Sequence, residues 1–181
     1  MKRILLLASA VFLLTVACFG EKEAIREATT RFWQAVIDGK TESAYRMLSK
    51  RSHFNVPKAV FEESASFGMK STLKTRALRK AWSAESSFRI EELEQRGDEA
   101  LTLVSFRVPD LNELDKRLHK EAKRKNVYRK YKGDEDKLDA WFAKRMAQEI
   151  KAHRFSRVSI ENRTWLVREE GQWKINFGYE Y

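Results

Sequence analysis

The residues that could do acid–base or metal chemistry are few and badly placed for it. His53, His119 and His153 are the only histidines, and none falls in an HxH or HExxH pattern or beside a cysteine. His119 and His153 fall on opposite arms of a helical pair turning near Gly133. They lie fourteen residues before and twenty residues after it. At about 1.5 Å rise per residue that offset is about 9 Å, too far for shared ligation. The acids cluster as Glu62-Glu63, Glu91-Glu92 and Glu169-Glu170. Neighbours in a strand point to opposite faces, so Glu91-Glu92 is not a catalytic pair, and Glu169-Glu170 reads as a solvated turn. No nucleophile elbow or phosphate-cradling glycine loop occurs. Asp38, Tyr45, His53 and Tyr179 could approach one another in a fold, but no spacing requires it. No metal, cofactor or catalytic residue is expected.

The strongest local signal is electrostatic. Residues 116–132, KRLHKEAKRKNVYRKYK, carry nine Lys/Arg against one Glu. On a helix, Lys116, Lys120, Lys123 and Arg124 share a broad face opposite a leucine stripe, and Lys125, Arg129, Lys130 and Lys132 extend it past Tyr128 and Tyr131. These eight are the candidate site for an anionic surface. In a cytosolic protein such a run reads as a phosphate-binding surface. Beside a membrane it reads as a headgroup-binding patch, worth about 1 kcal/mol per basic residue and screened by salt. The competing reading is a solvated face balanced by acids of residues 134–149.

Cys18, the only cysteine, follows an uncharged run, Ile4–Ala17, that Lys2 and Arg3 precede. A spanning helix needs about 20 apolar residues, so this run suits a signal-peptide core better than a membrane anchor. Leu14-Thr15-Val16-Ala17-Cys18 resembles a bacterial lipobox, with Thr15 where a branched apolar residue is usual. That resemblance implies cleavage after Ala17, so that residues 1–17 are a lipoprotein signal peptide and Cys18 takes lipid, palmitate included. A lone cysteine cannot form an internal disulfide, which fits a lipidated cysteine in an oxidising compartment. The alternatives are an unmodified thiol in a plain signal peptide, giving a secreted soluble protein, or a buried helix of a cytosolic domain. The formal charge is +10; Lys2 and Arg3 hold two of those units, leaving +8 on residues 18–181. A basic exported protein is expected to meet anionic lipid, wall polymer or acidic protein, with nucleic acid disfavoured by the export signal.

The elements that must position these residues follow from periodicity. Ile25, Ala28, Phe32, Ala35 and Val36 line one face of a helix over 21–38, stopped at Gly39. Thr41 is placed to cap a second helix with Ala44, Met47 and Leu48 inward. Pro57 opens a third over 57–66 with Val60 and Phe61 inward. Residues 70–84 are ambiguous, with Leu73, Leu78 and Trp82 as buried contacts. Strands over 87–95 and 99–108 flank a Gly97-Asp98 turn, and the second strand, apolar on both faces, reads as central. A second hairpin closes the chain with REEGQ as its turn; Trp173, Ile175, Phe177 and Tyr179 alternate along its last strand. Val158 and Ile160 differ in parity from Trp165 and Val167, which predicts a bulge near Asn162. Between the hairpins, 110–153 reads as an inserted helical hairpin. Its stripes are Leu111, Leu114, Leu118, Ala122 and Leu138, Trp141, Phe142, Met146, Ile150, and Asp134 caps its second helix. Phe32, Trp33, Tyr45, Trp82, Trp165, Trp173 and Phe177 could line a pocket or pack the core.

AIREATTRFWQAVIDGKTESAYRMLS (24–49) resembles the opening of the NTF2-like (cystatin-like) superfamily, and TWLVREEGQWKINF (164–177) resembles its last hairpin. The likeness covers about residues 21–67, 87–108 and 155–180; the 110–153 insertion departs from it. It implies an α+β fold in which N-terminal helices pack on a bent antiparallel sheet, a cone, forming one domain over 18–181. Members of the superfamily use the cone for catalysis, for binding or for assembly, so fold alone cannot choose. The expectation is an exported, lipid-anchored binding or scaffolding protein of the cell envelope, on the periplasmic face of the outer membrane, with no catalytic activity. The alternative is a cavity-containing enzyme or small-ligand carrier.

Overall fold

The computed structural model describes residues 2–64 and 75–178, with the backbone alone for residues 2–19. The order is α1 (Lys2–Ile37), α2 (Thr41–Tyr45), α3 (Lys50–Asn55), α4 (Lys58–Ser64), α5 (Arg76–Ala84), β1 (Ser87–Arg96), β2 (Glu99–Pro109), α6 (Leu111–Arg124), α7 (Val127–Lys130), α8 (Glu135–Lys151), β3 (Arg157–Glu169) and β4 (Gln172–Ile175). The fold is α+β, with helices followed by an open, antiparallel, four-stranded sheet in the order β1-β2-β3-β4. Cys18, with Leu14, Thr15 and Ala17, lies in the backbone-only part of α1, so its side chain is outside the described residues, as are Leu73, Tyr179 and residues 65–66 of the expected third helix. Among the described residues no helix is long and apolar enough to cross a membrane.

The helix expected over 21–38 begins earlier: its backbone is continuous from Lys2, with no proline to break it. It ends as expected. Gly39 adopts φ +70°. Its N–H bonds Val36 O at 3.0 Å, and Lys40 N–H bonds Ala35 O at 2.8 Å. That pair of bonds is a Schellman stop, and a Cβ at Gly39 would also meet the Arg79 side chain. The α1 stripe of Ile25, Ala28, Phe32, Ala35 and Val36 is buried.

Thr41 is the first residue of α2 and makes no cap bond there; the capping side chain is Ser49, which accepts from Ser52 N–H at 3.1 Å at the start of α3. Ala44 and Leu48 are buried although α2 stops at Tyr45. In α4 only Phe61 turns inward; Val60 is 51 % exposed. Leu78 and Trp82 of α5 are buried as the spacing predicts.

β2 is central, flanked by β1 and β3. The β2–β3 register runs without interruption from Glu99↔Val167 to Pro109↔Arg157, so the bulge expected near Asn162 does not exist. The inward face of β3 continues through Asn162, Thr164 and Leu166. Two of its members are polar and hydrogen-bonded, which hid the parity from a count of apolar residues. The bulge lies instead in β1 between Ile90 and Glu92. Phe88 and Ile90 are on one parity and Leu93 on the other, so an inserted residue, Glu91, keeps all three facing the helices. β3 turns into β4 at Glu170 (φ +51°) and Gly171 (φ +77°), the two left-handed residues of a type I′ turn. β4 stops at Ile175; Phe177 lies beyond it and packs edge-on to Phe61, with ring centroids 5.0 Å apart.

The insertion between β2 and β3 is helical but has three pieces. Asn126 takes φ +55° and breaks the chain after α6, and α7 is a single turn. Leu111, Leu114, Leu118 and Ala122 are buried, as are Met146 and Ile150; Leu138, Trp141 and Phe142 are half-buried. α8 lies against both α5 and α6. Asp110 caps α6 by accepting from Glu113 N–H at 2.9 Å, and Asp134 caps α8 by accepting from Lys137 N–H at 3.1 Å.

Removing a fully buried ring that several elements share should cost far more than removing an exposed one. Phe32→Ala is expected to lose about 3–5 kcal/mol of unfolding free energy. Phe54→Ala, at a side chain 90 % exposed, should stay within about 0.5 kcal/mol of the parent. Chemical denaturation of the two variants checks the contrast.

Candidate functional site

The eight basic residues singled out in the sequence are all exposed, on α6, α7 and the turns that follow them. Their helix face is set by the opposite stripe: Leu111, Leu114, Leu118 and Ala122 bury themselves, so Lys116, Lys120, Lys123 and Arg124 must point out. Among the described residues only Lys125 of the eight has an acidic partner, Glu121 Oε1 at 2.7 Å. Lys130 lies 5.3 Å from the centroid of the Tyr131 ring. Of the acids in 134–149, Asp134 pairs with Lys137 at 2.6 Å and Glu149 pairs with Arg117, Arg145 and Arg154, none of them among the eight.

Glu149 was not visible as a site residue in the sequence. It sits in the α8 stripe between Met146 and Ile150 and is buried with them. Arg154 grips it through Nε and Nη2 at 3.2 and 2.9 Å, Arg145 bonds Oε1 at 3.2 Å, and Arg117 bonds Oε2 at 3.3 Å. The available signal was a charge on an apolar stripe, which demands a partner. Arg145 also reaches both oxygens of Glu121 at 3.2 Å. The Glu121 carboxyl is held below the ordinary carboxylate range, first by the hydrogen bond from Lys125 and then by Arg145, against the opposing effect of burial.

The histidines do not converge. His119 Nε2 lies 3.2 Å from Asp115, its Nδ1 contacts the Tyr128 hydroxyl, and its ring packs on Phe142 with centroids 4.6 Å apart. Burial and then the Asp115 carboxylate push the Tyr128 phenol above its ordinary value. His153 lies 3.4 Å from Glu85. Tyr45 and His53 do meet, ring edge to ring face at 4.5 Å, but the Tyr45 hydroxyl donates to Val56 O and Asp38 bonds Lys40, Gln34 and Ser83 instead. Among the described residues no group of three or more His, Cys, Asp or Glu could hold a metal ion.

A concavity of about 610 Å³ opens where β3 runs on beyond the end of β4. Phe32, Trp33, Trp165 and Phe177 line it with Asn162, Thr164 and Asn176. Tyr45, Trp82 and Trp173 of the aromatic set do not. Trp33 Nε1–H donates to Thr164 Oγ1 at 2.9 Å, and Thr164 Oγ1 donates to Asn162 Oδ1 at 3.2 Å. Ser49 and Ser52 hydroxyls donate to Asn176 Oδ1 at 3.2 and 3.3 Å.

No protein-family model matches the chain, and no curated protein matches it by sequence. Among solved structures, a candidate lipoprotein of Bacillus subtilis, ycdA, is similar at 16 % identity with a TM-score of 0.42. The match covers 84 % of this chain, which spans 43 % of the length of that one. A likeness of that size defines neither a shared fold nor a function.

Because the Glu121 carboxyl is depressed in the folded state, its contribution is present above its unfolded value and is lost as pH falls through the folded one. The melting temperature is expected to fall on that acid limb, and Glu121→Gln should flatten the limb by lowering the neutral-pH melting temperature toward the acid value. Thermal unfolding followed by circular dichroism between pH 7 and the acid range measures it.

Proposed function

We propose that the protein is an exported binding or scaffolding protein of the bacterial cell envelope, tethered by lipid on Cys18 and presenting α6–α7 to an anionic surface, without catalysis. In this reading residues 1–17 are the removed signal, residues 18–181 form one NTF2-like domain, and the tether sits on the periplasmic face of the outer membrane. The observation that carries it is the exposed basic face: eight cations on one insertion, with a single acidic partner among the described residues. The superfamily resemblance is supported by the order of helices before an antiparallel sheet.

The tether would be short. Cys18 precedes by one turn Glu21, which bonds Gln95 at 2.6 Å and pairs with Arg168, beside the β1–β2 turn. The insertion leaves from the opposite end of β2, after Pro109. Acyl chains contribute about 0.8 kcal/mol per buried CH₂, and two or more chains hold stably. The basic face then need not recruit the protein; it engages what the tether brings near.

A second reading, a carrier of a small ligand, is favoured by the aromatic concavity of about 610 Å³ with its converging Asn162, Thr164 and Asn176.

Three measurements separate these readings. Native protein should partition into detergent and carry acyl mass, and Cys18→Ser should do neither; equal partitioning sinks the tether. Neutralising Lys123, Arg124, Lys125, Arg129 and Lys130 to Gln should abolish salt-sensitive binding to phosphatidylglycerol vesicles or wall material with the fold intact, and unchanged binding rejects the basic face. For the carrier, an apolar fluorescent probe should quench tryptophan emission in the parent and less in Ser64→Phe, a change at the exposed rim of the concavity that leaves Trp33 its Thr164 acceptor; no quenching of the parent rejects the carrier.

A further inference from the structure

Between α6 and the C-terminal half of α8 lies a concavity of about 580 Å³. Glu149, its side chain 8 % exposed, forms part of the wall. Its two carboxylate oxygens accept four bonds from Arg117, Arg145 and Arg154, which uses about all the lone pairs a carboxylate offers. The carboxylate is thus saturated and the guanidiniums are not. Arg117 engages through Nη2 alone, to Glu149 and to Arg154 O. Among the described residues Arg145 Nε is buried with no hydrogen-bond partner, while its Nη1 bonds Gln148 and its Nη2 bonds Glu121 and Glu149. Lys120 and Arg124, one turn apart on α6, line the same hollow and have no acidic partner among the described residues. With Lys125, six cations face two acids, Glu121 and Glu149.

We propose that this hollow binds a phosphate-monoester group, with Glu149 as the positioning residue that splays the arginine forks around it. The proposal deepens the reading of the insertion as an anion-binding element and rests on it. An ion-pair network that only stapled α8 to α6 would need one cation per carboxylate. The excess of four, gathered around one open concavity between two helices, suits a compact anion of more than one charge. A phosphate monoester carries nearly two charges at neutral pH and three acceptor oxygens, which planar forks approaching from different helices can share. A single carboxylate would leave most of those donors unmet.

Titration calorimetry of the full chain with inorganic phosphate and with glycerol 3-phosphate tests it, beside co-sedimentation with phosphatidic acid and phosphatidylglycerol vesicles of matched surface charge. Arg117→Gln changes one exposed side chain that is not among the eight of the basic face. It should weaken glycerol 3-phosphate about tenfold or more and erase any preference for phosphatidic acid, while keeping salt-sensitive phosphatidylglycerol binding. Glu149→Gln makes the hollow more positive and yet should weaken phosphate, because the forks lose their anchor; circular dichroism checks that α6 and α8 remain. A phosphatidic acid preference in the parent places the phosphate on a lipid headgroup, and binding of the free esters without that preference places it on a soluble compound. Equal phosphate affinity of the parent and Arg117→Gln, or tighter binding by Glu149→Gln, overturns the proposal. Either result leaves the exposed basic face standing, since that reading is tested on other residues with another lipid.

Discussion

Trp33 stands where α1, β2 and β3 meet, and its indole must satisfy two demands at once. The ring packs edge-on against Phe32 at 4.9 Å and against Phe106 at 4.8 Å, which welds the helix to the central strand. Its N–H, buried with the ring, has to find an acceptor or cost free energy for going without one. Thr164 on β3 supplies it. That one requirement puts a polar residue on the inward face of β3, which in turn accounts for Asn162 beside it. The sheet register, the face of α1 and the polar patch inside the molecule are thus consequences of seating one large amphipathic side chain. Thr102, opposite Thr164 across the β2–β3 ladder, is fully buried and donates to Thr164 O at 3.4 Å, so the polar layer extends into the central strand.

The C-terminal end of the second hairpin is organised differently. The exit from β4 is held by side-chain hydroxyls: Ser52 accepts from Phe177 N–H at 2.8 Å, and both Ser49 and Ser52 donate to Asn176. Leu48 forms a parallel bridge with Ile175, so the short helices after α1 act as an extra partner for the edge of the sheet. An edge covered in this way offers few unpaired backbone groups to another chain.

Charge is segregated rather than balanced. The core of the insertion is leucine, alanine, methionine and isoleucine; the outer surface of α6 and α7 is rich in lysine and arginine, while α8 carries four acids and four bases. The one acid placed inside, Glu149, would be expensive alone, and removing a single partner from such a cluster leaves an uncompensated charge. Three arginines from three places, α6, α8 and the turn after it, meet that cost. Two contacts of these arginines cross between the helices, Arg117 to Glu149 and Arg145 to Glu121, and so constrain the relative rotation of α6 and α8. A helical pair that only matched apolar stripes could slide; this one is keyed.

Much of this was legible from residue order. Ile25, Phe32 and Val36 at helical spacing determined the buried face of α1. Gly39 determined its end, since only a residue free to take positive φ closes a Schellman stop. The Gly97 and Glu170-Gly171 turns determined both hairpins, and the Leu111–Ala122 stripe determined which way Lys116 to Arg124 must face. Local rules sufficed in each case, because a few neighbours along the chain settle the conformation. The tertiary structure decided the rest. It moved the bulge from Asn162 to Glu91, because β3 could keep its register by hydrogen-bonding polar residues inside, whereas β1 had to shift Leu93 inward. It joined Tyr45 to His53 but not to Asp38. It also gathered Arg117, Arg145 and Arg154, 37 positions apart from first to last, on one carboxylate: a charge in an apolar stripe says that partners are needed, but which distant side chains supply them depends on how two helices cross.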